Sequence, residues 1–168
     1  ENKAELLEQL GGRLFALYEQ QRYPVLIVDE AQLIPHRDVF DEIRLLTNYQ
    51  LDDVNLLSVV LLGQPELKMR LAHPVYEPLR QRSGIQFELQ PLQANEVADY
   101  LAFRLKRVGG DPALFSAAAV ERVALYSGGI PRRINQLAAL ALLEGFGRGV
   151  RRLDADLVTA VSRELEGL

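Results

Sequence analysis

Cysteine and tryptophan are absent from the 168 residues, methionine occurs once and histidine twice. Without cysteine there is no disulfide and no thiolate metal site, and nothing points to an oxidising compartment. His36 and His73 are far apart and lack the helical spacing of a metal-ligand pair, so each reads as a loop residue. No apolar run approaches the ~20 residues of a membrane span, and no signal peptide opens the chain. The phosphate-loop pattern G-x-x-x-x-G-K-[ST] is missing too, since none of the Gly-Gly pairs leads into Gly-Lys-Ser/Thr. The chain begins within an amphipathic helical pattern, which predicts a truncated start.

What is present has an ordinary globular balance. Apolar residues make up 48 % and charged residues 25 %, which argues against disorder. The length fits one domain or two small lobes. The net charge of −4 does not advertise a nucleic-acid surface. The charge is uneven, however: residues 1–91 hold 9 basic and 14 acidic residues, and residues 92–168 hold 10 and 9. The second part includes Arg132, Arg133, Arg148, Arg151 and Arg152.

Hydrophobic spacing sets the expected elements. Leu6, Leu7, Leu10, Leu14, Leu17 and Tyr18 predict a helix over 3–21, stopped by Pro24. Residues 25–29 read as a buried strand. Asp38 is a candidate N-cap for a helix reaching about Tyr49, followed by a turn over 51–55. The apolar run 56–62 reads as a second buried strand, and Pro65 sits early in a short helix. Pro74 and Pro78 punctuate a further helical stretch. Ile85, Phe87 and Leu89 alternate with polar residues, which predicts a third strand. Beyond Pro91 the period becomes helical, at about 94–107, 116–127, 131–147 and 154–166, with Ser116 and Asp154 as N-caps. Part of a three-layer α/β core with parallel strands, over 1–91, followed by an all-helical lobe over 92–168, is the expected fold class.

Four groups of residues carry candidate chemistry. Val25-Leu26-Ile27-Val28-Asp29-Glu30 ends an apolar strand on two carboxylates. One such acid can hold Mg²⁺, and its neighbour can polarise an attacking water; equally, two exposed acids can close a strand. Gln64 follows the second strand, where an amide can meet a γ-phosphate or the water; it can also be only a turn residue before Pro65. Arg80 and Arg82 precede the third expected strand and are candidate arginine fingers, or else charges that complement a helix end. Gly129-Ile130-Pro131-Arg132-Arg133 puts Arg132 in a first helical turn that favours an anion; the bland alternative is a Gly-Gly turn with a solvated arginine.

The order of these groups resembles the AAA+ ATPases over nearly the whole chain. In that resemblance Asp29-Glu30 correspond to the Walker B pair and Gln64 to sensor 1. Arg82, or Arg80, corresponds to the arginine finger, and Arg132, after Pro131, to the sensor 2 arginine. Val-Asp-Glu-Ala-Gln, Leu-Leu-Gly-Gln-Pro-Glu-Leu, Arg-Gln-Arg and Gly-Gly-Ile-Pro-Arg-Arg-Ile-Asn are similar to ATPases of the general secretion pathway protein A type, relatives of transposition ATPases. The resemblance implies ATP and Mg²⁺ as cofactors, with Asp29 on the metal, and Glu30, Asp29, Gln64 and Arg82 in hydrolysis. It implies nucleotide held between the α/β lobe and the helical lid. It also implies self-association as an oligomeric ring and a cytoplasmic domain of an inner-membrane-associated protein serving type II secretion or pilus assembly.

The family's phosphate loop is expected upstream of residue 1. The chain alone is therefore expected to be inactive, and its sheet to carry an exposed edge open to pairing with another chain. The other reading from the same residues is a non-catalytic module in which the arginine-rich second part binds DNA or a protein.

Overall fold

The side-chain oxygen of Asn2 accepts a hydrogen bond from the Ala4 amide at 3.3 Å, and Glu5 accepts one from the Asn2 amide at 3.3 Å. This capping box opens α1, Lys3–Glu19. It is seen in a computed structural model that describes residues 2–166. Contacts divide the chain into two units, residues 1–87 and 88–168.

In the first unit, α1 ends before Pro24, at a turn in which Gln21 has a φ of 56°. β1 (Val25–Val28) leads through a 3-10 turn at Ala31–Leu33 to α2 (Arg37–Leu46). The residue capping α2 is His36, and Asp38 lies in its first turn, one of two corrections to the expected boundaries here. The second concerns 51–55, which is not a bare turn. β2 (Gln50–Leu51) and β3 (Val54–Asn55) pair antiparallel around Asp52, whose φ is 51°. β4 (Ser58–Leu61) then pairs in parallel with β1. α3 (Pro65–Leu71), a second 3-10 turn (Pro74–Tyr76) and α4 (Glu77–Arg80) follow.

The strands are less covered than the apolar runs predict. Leu26, Val28, Val59 and Leu61 share one face of the parallel pair. Val28 and Leu61 pack on the cluster of Ala31, Phe40, Leu67 and Tyr76, and Val59 on that of Leu14, Leu56 and Leu57. On the opposite face Val25 and Ile27 are more than half exposed. A continuous apolar run reports that both faces can be buried, not that both are.

The third expected strand is not formed. Residues 84–91 have no strand pairing among the described residues, and Ile85, Phe87 and Leu89 are 88, 84 and 87 % exposed. Alternation places side chains on two sides of an extended chain, but a strand also needs a neighbour for its backbone donors and acceptors.

The second unit consists of four helices: α5 (Ala94–Arg107), α6 (Ala117–Ser127), α7 (Pro131–Gly147) and α8 (Ala155–Glu166). Ser116 accepts from the Ala119 amide at 3.1 Å and Asp154 from the Leu157 amide at 2.9 Å, the two N-caps expected from the sequence. Val97, Ala119, Val123, Ile134, Ala141 and Val158 are fully buried between the helices. Gly128 and Gly129, both with positive φ, turn the chain from α6 into α7. Gly129 is buried, accepts the Leu92 amide at 2.9 Å, and would drive a Cβ into the Leu92 backbone. Substituting Gly129→Ala is expected to cost more than about 1 kcal/mol, because both its backbone angle and its surroundings exclude a side chain. Chemical denaturation of the variant beside the wild type checks this.

Candidate functional site

Because β1 and β4 are parallel, with Val25 opposite Ser58 and Val28 opposite Leu61, both carboxyl ends emerge on the same side. Hydrogen bonding continues past the strands. The Leu62 amide donates to the Val28 carbonyl at 2.9 Å, and the Ala31 amide donates to the Leu62 carbonyl at 2.8 Å. To bring Ala31 there, Glu30 takes φ 50° and ψ 37°. A left-handed conformation costs a non-glycine residue roughly 1–2 kcal/mol. The cost is offset locally: the Glu30 amide donates to Asp29 Oδ1 at 2.8 Å, and its carbonyl accepts from Leu33 at 2.9 Å.

Gln32 joins the two strand tips through its side chain. Its Nε2 donates to Glu30 Oε2 at 2.5 Å, and its Oε1 accepts from the Gln64 backbone amide at 3.2 Å. The partners fix the direction of the amide. A backbone N–H only donates and a carboxylate only accepts, so the oxygen faces Gln64 and the nitrogen faces Glu30. Gly63 makes the approach feasible, since a Cβ there would lie 2.6 Å from Gln32 Oε1 and 2.9 Å from Leu67 Cδ2. Sequence reasoning singled out Asp29, Glu30 and Gln64 but missed Gln32. Its signal was a polar residue two places after Glu30 together with a glycine directly before Gln64.

Arg70 of α3 secures the turn that carries these residues. Its Nη1 donates to the Gln32 carbonyl at 3.3 Å and to the Ile34 carbonyl, and its Nε donates to the Tyr76 hydroxyl at 3.1 Å. The guanidinium lies 4.8 Å from the centre of the Phe40 ring and 5.8 Å from that of Tyr76. Arginine's planar fork is what allows hydrogen bonding and ring stacking together.

The exposed groups are left open for a ligand. Gln64 caps α3 through its backbone, with no side-chain capping bond, so its amide group remains available. Asp29 and Glu30 are exposed and have no ion-pair partner among the described residues. Asp29 uses Oδ1 for the Glu30 amide and keeps Oδ2 open. One such oxygen, with phosphates and water completing the shell, is the kind of donor Mg²⁺ accepts, so the residues present fit that ion.

The candidate arginines differ in freedom. Arg80 is tied down, donating to the Ala72 carbonyl at 2.9 Å and pairing with Glu77. Arg82, after the end of α4, is exposed, and its side chain is unpaired among the described residues. In the second unit Pro131 is the first residue of α7, and Arg132 is exposed in its first turn. A cavity of about 130 Å³ in that unit is lined by Tyr126, Arg133, Gln136, Leu137, Ser162 and Leu165. The Tyr126 hydroxyl lies 3.4 Å from Thr159 Oγ1, and hydrogen bonding from Thr159 to the phenolate, with the nearby Arg122 and Arg163 charges, lowers its pKa from the usual phenol value.

Comparison with known proteins agrees with this architecture. Residues 1–71 match the family described as "AAA domain". The chain is 36 % identical, over 164 residues and 97 % of its length, to general secretion pathway protein A of Aeromonas hydrophila. The chain belongs to the AAA+ family. It spans 30 % of the length of that relative. Its fold is that of the Thermotoga maritima RuvB Holliday junction branch migration motor, with a TM-score of 0.66 and 20 % identity. That match covers 92 % of this chain and 49 % of the other. The Aeropyrum pernix ORC2 protein, solved in ADPNP–ADP complexes, matches with a TM-score of 0.61 and 20 % identity, covering 94 and 43 %. Among the described residues no helix is long and apolar enough to cross a membrane.

The AAA+ strand tips thus rest on Arg70. Arg70→Lys is expected to destabilise the protein by about 1.5–3 kcal/mol, the scale of hydrogen bonds to a charged group. A lowered thermal unfolding midpoint for the variant is the corresponding measurement.

Proposed function

We propose that this chain is the Walker B, sensor and lid portion of an AAA+ ATPase. ATP binding and hydrolysis drive assembly of a larger complex, in type II secretion or pilus biogenesis. The observation that carries the reading is the emergence of Asp29 and Glu30 beside Gln64 at the neighbouring carboxyl ends of two parallel strands. Hydrolysis of a phosphoanhydride needs a base for the water and a donor for the γ-phosphate within reach of each other.

Glu30 takes the proton from the attacking water. One of its oxygens is occupied by Gln32 and the other is free to accept. Gln64 orients the γ-phosphate or the water with its side-chain amide. Asp29 would hold Mg²⁺ through its open oxygen, and the ion's contribution is to neutralise phosphate charge. Arg132, following Pro131, takes the phosphate-contacting part that the family resemblance gives it. Arg82 is the better finger for a neighbouring subunit because Arg80 is already engaged by Glu77. Differential contacts with ATP and ADP then bias assembly. Catalysis also needs a phosphate loop, which the 168 residues do not contain, so this chain by itself does not turn over ATP.

The 36 % identity to general secretion pathway protein A supports the secretion branch, and the family resemblance implies a domain on the cytoplasmic face of the inner membrane. The test uses the full-length polypeptide that carries this segment. Glu30→Gln is expected to keep nucleotide affinity while hydrolysis falls at least ~100-fold. Phosphate release and equilibrium nucleotide binding measure the two arms, and unchanged hydrolysis would contradict the role of Glu30.

A further inference from the structure

We infer that Gln32 is a positioning residue for hydrolysis: it aims the Glu30 carboxylate and couples it to the loop bearing Gln64. The inference rests on the ATPase reading above and adds a residue to which that reading assigns no role.

The turn itself does not need the Gln32 amide. Its backbone is held by Ala31 to Leu62 at 2.8 Å and Leu33 to Glu30 at 2.9 Å, and Arg70 binds the Gln32 and Ile34 carbonyls from the other side. The Gln32 side chain instead spends its donor on the carboxylate of Glu30 and its acceptor on the amide of Gln64. These are the residues with the base and phosphate-contacting roles. Glu30 is exposed, and without a partner its carboxylate would sample several rotamers around a strained backbone. The Gln32 donor selects one of them and leaves Oε1 for water. Through the same amide, a shift of the Gln64 backbone displaces the donor that holds Glu30, so occupation of the γ-phosphate position reaches the base.

Gly63 lies beside the amide: a Cβ there would fall 2.6 Å from Gln32 Oε1, the movable end of that side chain, and 2.9 Å from Leu67 Cδ2.

Two variants of the full-length protein separate the functions of the amide. Gln32→Glu keeps an acceptor for the Gln64 N–H but replaces the donor with a carboxylate facing Glu30. Gln32→Leu removes both. Both variants are expected to lose at least about tenfold in kcat while KM for ATP and the Kd of an ATP analogue stay within about twofold, because ground-state binding is untouched. Hydrogen exchange of the Gln64 amide is expected to stay slow in Gln32→Glu and to quicken in Gln32→Leu. If Gln32→Glu turns over within about twofold of wild type while Glu30→Gln is impaired, the positioning role is overturned and the ATPase reading survives. A loss in which KM rises in step with the fall in kcat overturns it as well. If Glu30→Gln itself is unimpaired, the ATPase reading is what fails.

Discussion

The candidate site depends on a hydrogen-bond zipper that runs past the end of its own sheet. Two four-residue strands pair in parallel, and the pairing extends through Leu62, Ala31 and the side chain of Gln32. That extension forces Glu30 into a left-handed conformation and at the same time provides the bonds that sustain it. A non-glycine residue held in the left-handed region is backbone strain of the kind that clusters at functional sites.

The two units have different characters. The second unit is built from one continuous apolar cluster shared by four helices. The first has two small clusters, one around Phe40 and Tyr76 and one around Leu14, and the strand tips sit beside the former. Arg70 compensates for the modest core by stacking on Phe40 and Tyr76 while bonding the turn. Local stability differs across proteins, and segments with few buried apolar contacts open most readily. The candidate strand-tip site thus lies in the unit with the smaller apolar clusters.

Much of this was legible in the sequence, and the exceptions have physical causes. Asp29, Glu30 and Gln64 could be found because an apolar run ending in polar residues encodes a strand tip directly. The helices of the second unit could be found because their caps, Ser116 and Asp154, are local signals. The strand expected at Ile85–Leu89 failed because its pattern describes one strand, and a sheet requires a second strand beside it. The exposure of β1 was illegible for a related reason, since an apolar run does not record how many layers cover it. Gln32 was missed because its meaning lies in a contact across 32 positions, to Gln64, and its local signal is only a polar residue two places after Glu30. The family resemblance, carried by short motifs, agreed with the comparisons over 97 % of the chain.

The most direct test of the account is a crystal structure of the full-length protein with Mg²⁺ and a non-hydrolysable ATP analogue. The account predicts the γ-phosphate within hydrogen-bond reach of the Gln64 side chain. It also predicts an in-line water about 3 Å from the free oxygen of Glu30. A nucleotide bound with its γ-phosphate away from both strand tips, or with Glu30 turned out of reach of any such water, would contradict it.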